Sequence, residues 1–429
     1  MIIAKRLKGK AIATWLGPTG EAARRAVVGL RQRVTSAPRR LDLYYDIADP
    51  WSYLAAQVAE RLVAAYGVEL GFHVVTPPAS DVDPAPAART RHAVRDARLL
   101  AEFWDVEFPG TKEADSGAIR DVGTALVRER PAGDQLRCAL ELSRAMWAGD
   151  RKQLARLLGT WGVEAHGSVA PILNARYAEL RKAGHYQGAM FQFAGTWYWG
   201  IDRVRHLEAA LARELGREIA GVLRERTGGE PAKLSDKPLA CELWFSFRSP
   251  YSYLALEQIE AVLGDVPLVL RPVLPMVTRG LPLPAVKRTY IVHDVKREAD
   301  RLGIPFGELC DPLGAGVENC VAIAHWADRR GALAAFARSA MRGIWAEARD
   351  MTEYVDLRHV VERAGLPWHD AKQALGAPEA TKWAQANMAD LSVIGLWGVP
   401  SLRVGDFVAW GQDRLPMLAA RLARHRNHA

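Results

Sequence analysis

The sequence predicts a mixed α/β protein made of two tandem copies of one domain. In the second copy a buried strand runs through the turn Ser249-Pro250 into a helix, and the same pattern surrounds Asp49-Pro50. Pro-x-Ser-Tyr-Leu-Ala occurs at both turns, and Trp-Gly-x-Asp-Arg occurs at Trp199 and again at Trp410. Matching blocks in the same order, about two hundred residues apart, indicate duplicated domains and not a solenoid of short repeats.

Each copy is predicted to begin with strand, helix and strand, and to end with a hairpin and a helix. In the first copy we expect Leu41–Ala48, Trp51–Tyr66, Leu70–Thr76, the hairpin 188–199 and a helix from Asp202 to Leu223. In the second we expect Cys241–Phe247, Tyr251–Leu263, Pro267–Leu274, the hairpin 401–410 and Asp413–His425. Between strand and hairpin the patterns are mostly helical, over 89–180 and 287–390. The two early strands of each copy must then be parallel, because a helix connects them.

The predicted domain boundaries follow composition. Residues 1–40 form a basic N-terminal extension, 41–225 the first domain, 226–238 a linker rich in glycine and proline, and 239–429 the second domain, which carries the expected active site. Each domain is long enough to bury its own core.

The basic charge is confined to the extension. Of the net charge of +8, residues 1–40 supply ten Lys and Arg against one acid, and the rest of the chain is nearly neutral. We therefore expect no nucleic-acid partner. Apolar residues recur at helical spacing from Glu21 onward (Ala23, Val27, Leu30 and Val34). This helix is expected to dock on the body or to remain a mobile tail; the alternative is contact with an anionic membrane surface.

Cysteine usage is typical of a reducing compartment. The four cysteines are scattered and form no C-x-x-C pair (Cys138, Cys241, Cys310 and Cys320). We therefore expect a cytoplasmic protein without structural disulfides, and scattered histidines predict no metal site. Because no apolar run is long enough to cross a bilayer, we expect no stable membrane insertion.

Ser249 is the candidate catalytic residue. It stands where a strand ends and a helix begins, so the unpaired N–H groups and the helix dipole favour a negative charge beside its hydroxyl. A thiolate held there would have a lowered pKa. The simpler interpretation is that Ser249 only caps the helix, which is the commonest role of Ser at this position.

The order of elements resembles the thioredoxin-like fold with an inserted helical subdomain, once in each copy. In redox members of that fold a C-x-x-C pair begins the first helix. Here the equivalent tetrads are Asp49-Pro-Trp-Ser52 and Ser249-Pro-Tyr-Ser252. Without two thiols neither tetrad can form a disulfide, so we expect the chain not to be a dithiol oxidoreductase.

The second copy resembles 2-hydroxychromene-2-carboxylate isomerases and kappa-class glutathione transferases. The resemblance rests on 245–255, 395–401, 410–414 and the spaced residues Lys287, Tyr290, Asp294 and Arg297. It implies glutathione as cofactor, with Ser249 holding the thiolate. The implied glutathione ligands are Val399 and Pro400 in a cis-proline loop, Gln412 and Asp413 at the γ-glutamyl end, and Lys287 at a carboxylate. The implied walls of an aromatic substrate pocket are Trp244, Tyr251 and Trp397.

The first copy departs from this pattern. Asp49 replaces the sulfur-binding Ser, and a carboxylate there would repel a thiolate or would need a proton. We match Ala189-Met190 to the Val-Pro loop, so the proline is lost, whereas Asp202 remains as the counterpart of Asp413. The first copy is therefore expected to be a degenerate partner; the alternative is a different ligand with Asp49 as general base. In the second copy, Ser246 stands where relatives often carry Asp.

The favoured function is an enzyme in which a glutathione thiolate adds reversibly to a small conjugated carbonyl compound, such as a hydroxychromene carboxylate, and isomerises it. Kappa-like glutathione transfer is the close alternative. A non-catalytic thioredoxin-fold binding protein is the alternative from another class. Because the family resemblance implies a dimer, the tandem chain is expected to be an internal pseudo-dimer or to form a homodimer.

Overall fold

The computed structural model describes residues 40–226, 234, 239–275 and 283–428, with short pieces of the extension at 9, 11–17, 20, 22 and 23. The chain divides into two compact units. The N-terminal unit comprises Arg25–Glu230 with Pro284–Tyr290, and the C-terminal unit comprises Pro231–Leu283 and Ile291–Ala429 with Met1–Arg24. The segment Pro284–Tyr290, which we placed in the second domain, thus belongs to the N-terminal unit. The predicted linker, apart from Arg226 and Leu234, lies outside the described residues.

The N-terminal unit is built on a four-stranded sheet. Its strands are β1 (Arg40–Asp46), β2 (Glu69–Val75), β3 (Met190–Phe193) and β4 (Thr196–Trp199), in the order β2-β1-β3-β4. β1 pairs in parallel with β2 and antiparallel with β3, as a strand–helix–strand unit followed by a hairpin requires. Every residue of β1 after Arg40 is buried, so this strand forms the centre of the core.

The described part of the N-terminal unit contains seven complete α-helices: α1 (Pro50–Tyr66), α2 (Pro86–Phe103), α3 (Ser116–Leu126), α4 (Ala132–Ala148), α5 (Arg151–Trp161), α6 (His166–Lys182) and α7 (Val204–Leu215). The last helix ends eight residues earlier than predicted. Gly216 takes the left-handed conformation, with φ of 63°, and its N–H bonds the carbonyl of Ala212. This glycine C-cap stops the helix although helix-forming residues follow.

The C-terminal unit repeats the same topology. Its strands are β5 (Cys241–Phe245), β6 (Leu268–Pro272), β7 (Ser401–Val404) and β8 (Phe407–Trp410), in the order β6-β5-β7-β8. Its helices are α8 (Pro250–Leu263), α9 (Ala285–Leu302), α10 (Ala315–Asp328), α11 (Leu333–Ala346), α12 (Tyr354–Arg363), α13 (Trp368–Lys372), α14 (Pro378–Val393) and α15 (Leu415–His428). The first six residues of α9 are those grouped with the N-terminal unit. The prediction of two thioredoxin-like domains with helical inserts is confirmed.

The described part of the extension belongs to the C-terminal unit. Residues 11–16 are helical, and Leu16 is buried. The ring of Trp15 lies 4.3 Å from that of His293, centroid to centroid. This part of the extension is therefore docked; the amphipathic helix predicted from Glu21 falls almost entirely outside the described residues.

Among the described residues, no helix is both long and apolar enough to span a membrane. No group of three or more His, Cys, Asp or Glu side chains in this part of the chain is arranged to hold a metal ion.

Candidate functional site

Ser249 and Asp49 occupy the same place in the two units. Each is the residue before the proline that begins the first helix, and their backbones have nearly the same conformation, with φ/ψ of −100°/111° for Ser249 and −103°/112° for Asp49. The duplicated fold therefore places a hydroxyl and a carboxyl group at equivalent helix N-termini. The side chains make different contacts, and those contacts decide what each unit can do.

The Ser249 hydroxyl joins the helix to the loop before β7. Its Oγ accepts a hydrogen bond from the Ser252 backbone N–H, at 3.2 Å, so Ser249 is the N-cap of α8. It also donates to the carbonyl of Val399, at 3.4 Å. That donated bond is long, so the hydroxyl proton is available to a better acceptor placed at the helix N-terminus. Both roles considered for Ser249, cap and ligand donor, are open to this one side chain.

The loop at Val399 has the predicted form. The Val399–Pro400 peptide bond is cis. The Pro400 carbonyl accepts from the N–H of Gly411, at 2.8 Å, which joins the loop to the turn that carries Gln412 and Asp413. Three segments distant in sequence thus lie close together in the C-terminal unit, as the interpretation of Ser249 as a ligand site requires.

Gln412 takes a different role from the one expected. It is buried, and its Nε2 donates to Asp413 Oδ1 and to Glu298 Oε2, while its Oε1 accepts from Gln258. Its two amide donors are therefore used within the protein. Asp413 is only partly buried. These internal hydrogen bonds and the burial of Gln412 disagree with its expected role as a direct glutathione ligand.

The three aromatic residues predicted to line a substrate pocket differ in burial. Trp244 is fully buried: its Nε1 donates to the carbonyl of Asn387 at 2.9 Å, and its indole packs in the core, so the expectation that it walls a substrate pocket is wrong. Trp397 is half-buried, with its ring 5.2 Å from that of Trp410. Tyr251 is half-buried, and its hydroxyl donates to the buried Asp294 at 2.7 Å. Tyr251 and Trp397 remain the candidate pocket residues.

Lys287 lies among residues of the N-terminal unit. Its Nζ donates to the carbonyl of Val82 at 2.7 Å, and its nearest charges are Asp83 and Arg89. Burial lowers the pKa of this ammonium. The expected role of Lys287 at the glutathione site of the second copy is thus corrected, because six residues of α9 belong to the other unit and the spacing along the helix cannot reveal this.

Asp49 stands beside a second buried carboxyl group. Asp46 is 1% exposed and Asp49 4% exposed. Ser52 connects them: its hydroxyl donates to Asp49 Oδ2 at 2.9 Å and accepts from the Asp46 N–H at 3.1 Å. Burial, followed by the charge of Asp49, raises the pKa of Asp46 to about 7. Burial also raises the pKa of Asp49, against the opposing effect of the Arg89 guanidinium.

The loop before β3 packs against this carboxyl pair. The Gly200 N–H bonds the carbonyl of Ala189, as that of Gly411 bonds Pro400, so the counterpart of Val399-Pro400 is Gly188-Ala189. Our alignment of Ala189-Met190 to that loop was wrong by one residue. The Ala189 N–H, which a proline would lack, donates to Ser52 Oγ at 2.8 Å. The Ala189 N–H group of this loop is therefore bonded within the protein.

Two residues near the carboxyl pair of the N-terminal unit were not predicted from the sequence. Arg89 and Asp83 were not singled out, because one arginine among several on a helix and an aspartate in a proline-rich loop carry no local signal. In the fold Arg89 Nε bonds Asp83 Oδ2 at 2.7 Å, and its Nη1 lies 3.9 Å from Asp49 Oδ1.

Asp202, the counterpart of Asp413, is partly exposed in the turn after β4.

Part of this chain is similar to known proteins. Residues 240–423 match the DSBA-like thioredoxin domain. The chain is 26% identical over 195 residues to a 2-hydroxychromene-2-carboxylate isomerase of Pseudomonas putida, across 43% of this chain and 94% of that protein. A solved 2-hydroxychromene-2-carboxylate isomerase aligns with 44% of this chain and 97% of its own, at 23% identity and a TM-score of 0.38. The cytosolic disulfide reductase DsbM of Pseudomonas aeruginosa aligns with 44% of this chain and 100% of its own, at 16% identity and a TM-score of 0.36.

Proposed function

We propose that this chain, whose residues 240–423 match a DSBA-like thioredoxin domain, is a glutathione-dependent isomerase of a conjugated carbonyl compound similar to 2-hydroxychromene-2-carboxylate. The observation that carries the proposal is the position of the Ser249 hydroxyl, at the N-terminus of α8 and in contact with the loop carbonyl of Val399. The curated relative, which is named for that isomerisation, supports the choice of reaction.

The residues of the C-terminal unit fit glutathione by their chemistry. Ser249 supplies a hydroxyl donor at a helix N-terminus, where the dipole favours an anion such as a thiolate. Asp413 supplies a carboxylate for an ammonium group, and the buried Gln412 holds that carboxylate in place. Bound there, glutathione would supply a thiol nucleophile that adds reversibly to a conjugated double bond.

Each protein group then has a defined task. Ser249 turns its proton from the Val399 carbonyl to the sulfur and so lowers the pKa of the thiol. Tyr251 and Trp397 hold a flat substrate, and the buried Asp294 fixes the Tyr251 ring through its hydroxyl. The four-residue segments 49–52 and 249–252, at the starts of α1 and α8, contain no cysteine, so the proposed reaction involves no dithiol exchange.

The test is a calorimetric titration with glutathione at neutral pH, combined with ultraviolet absorbance of the thiolate. We expect one binding event per chain and a thiolate signal. Ser249→Ala removes one hydrogen bond to a charged sulfur, worth about 1.5–3 kcal/mol, so the pKa of the bound thiol should rise by about one to two units. Ser392→Ala, at an exposed serine of the same unit, is the matched control.

Each outcome has a clear meaning. Absence of glutathione binding would overturn the proposal and favour a binding protein for another ligand. Binding with an unchanged thiolate signal in Ser249→Ala would remove Ser249 from its role. With activated glutathione established, turnover of a hydroxychromene carboxylate without a stable conjugate separates isomerisation from kappa-like transfer.

A further inference from the structure

The carboxyl pair of the N-terminal unit has hydrogen-bonding capacity that its described neighbours do not use. Asp46 Oδ1 accepts from the Ala48 N–H at 2.9 Å, and Asp49 Oδ2 accepts from Ser52. The other oxygens, Asp46 Oδ2 and Asp49 Oδ1, are buried and have no hydrogen-bond partner among the described residues. A buried carboxylate oxygen left without a donor is costly, so these two atoms indicate a ligand group or a shared proton.

The charges around the pair would be balanced if the carboxyl groups bound one proton. Three carboxyl groups, those of Asp46, Asp49 and Asp83, face two cations, Arg89 and Lys287. With every group ionised, this buried set would carry one net negative charge. One proton retained by two carboxyl groups that share a site would make the set neutral. The fully buried Tyr45 also neighbours the pair, and because burial raises the pKa of its hydroxyl group far above the usual value, it stays neutral.

Arg89 decides which ligand group suits the site. Its Nη1 lies 3.9 Å from the unpartnered Asp49 Oδ1. Its Nε bonds Asp83, so the same guanidinium group is close to both Asp83 and the carboxyl pair. A ligand ammonium would be repelled by the guanidinium. A ligand hydroxyl would instead donate to Asp49 Oδ1, and any negative charge that developed on its oxygen would be stabilised by Arg89.

We propose that Asp46 and Asp49, with Arg89 beside them, form a proton-transfer site for a ligand with an acidic hydroxyl group, an enol or a phenol. In the forward step the ligand O–H bond breaks and its electron pair stays on the ligand oxygen. The proton forms a new O–H bond at Asp49 Oδ1, and the proton already in the pair remains. The negative charge thus moves from the carboxyl pair to the ligand oxygen beside Arg89, and the total charge of the site is unchanged.

This site is independent of the proposed glutathione site. It uses none of Ser249, Val399 and Asp413, and it lies within the N-terminal unit. It also gives a reason for the loss of the glutathione site in the first copy: Asp49 in place of Ser replaces thiol activation by an acid–base group.

The probe is 4-nitrophenol, whose ionised form absorbs visible light. The full chain is titrated with it at a pH where the free compound is mostly protonated. We expect a saturable rise in nitrophenolate absorbance, which Asp49→Ser and Asp46→Ser abolish. These two substitutions install the residues of the C-terminal unit, Ser249 and Ser246, at the equivalent positions. Asp134→Ser, at an aspartate of the same unit whose side chain is 40% exposed, should leave the signal unchanged.

Infrared spectroscopy of the protein alone provides a second measurement, for which circular dichroism must first confirm folding of each variant. Near neutral pH the native chain should contain a protonated carboxylic acid band, which is lost in Asp49→Asn. If the native chain gives no saturable nitrophenolate signal, or if Asp49→Ser retains it, the proposal is overturned. If the acid band is absent from the native chain, the shared proton is excluded. Loss of glutathione binding would affect neither readout.

Discussion

At the scale of single residues, the two units differ in the hydrogen bonds of one serine that both of them contain. Ser52 Oγ accepts from the backbone N–H groups of Asp46 and Ala189 and donates to Asp49. Its counterpart, Ser252, accepts only one side-chain hydrogen bond in the described structure, from the Ser246 N–H at 3.4 Å. The same residue type at the same helical position therefore organises a polar site in one unit and contributes little in the other.

Ser52→Ala should destabilise the N-terminal unit strongly. The change leaves two buried N–H groups without an acceptor, at a cost of about 1–3 kcal/mol each. Ser252→Ala should cost about 1 kcal/mol or less, because the bond it removes is long. Denaturant unfolding of both variants measures the difference. An equal loss of unfolding free energy in the two would contradict the central role of Ser52.

At the scale of elements, the loop before the hairpin differs between the two units in how closely it packs on the helix N-terminus. In the C-terminal unit the loop presents Val399, which is only partly buried. In the N-terminal unit Gly188 takes that place and lies against the pair: a Cβ atom added there would be 2.6 Å from Asp46 Cβ and 2.9 Å from Ser52 Oγ. The absence of a side chain at 188 is thus a packing requirement of the carboxyl site.

Gly188→Ala should therefore disrupt the N-terminal unit. Overpacking of this kind costs about 1–3 kcal/mol, and it should also displace Asp46. Gly159→Ala is the matched control, since a Cβ atom at Gly159 meets nothing within 4 Å and the residue lies inside α5. That change should raise the unfolding free energy by up to about 1 kcal/mol. Thermal unfolding distinguishes the two; a stabilised Gly188→Ala variant would show that the loop is not packed as described.

At the scale of the whole molecule, the carboxyl pair makes stability depend on pH. The pKa of Asp46 is raised from 3.8 to about 7 in the folded state, chiefly by burial. Between these values the folded chain binds more protons than the unfolded chain. The free energy of unfolding should therefore fall as the pH rises through this window.

Asp46→Ser should remove much of that fall. The variant should gain stability relative to the native chain as the pH rises, on the order of a few kcal/mol at the upper end of the window. The measurement is the N-terminal unit's thermal transition at a series of pH values, with Asp134→Ser as control. A native chain whose stability is flat or increases across the window would contradict the raised pKa.

The sequence was sufficient for the architecture and for part of the site. Hydrophobic patterns, turn residues and the repeated Pro-x-Ser-Tyr-Leu-Ala block act locally, so they determined the α/β class, the duplication and the position of Ser249 at a helix start. Only the tertiary structure decided which distant groups meet. It placed Trp244 in the core, Gln412 behind Asp413 and Lys287 with the N-terminal unit. It also brought Arg89 to Asp49, because burial and charge pairing depend on contacts between segments far apart in the chain.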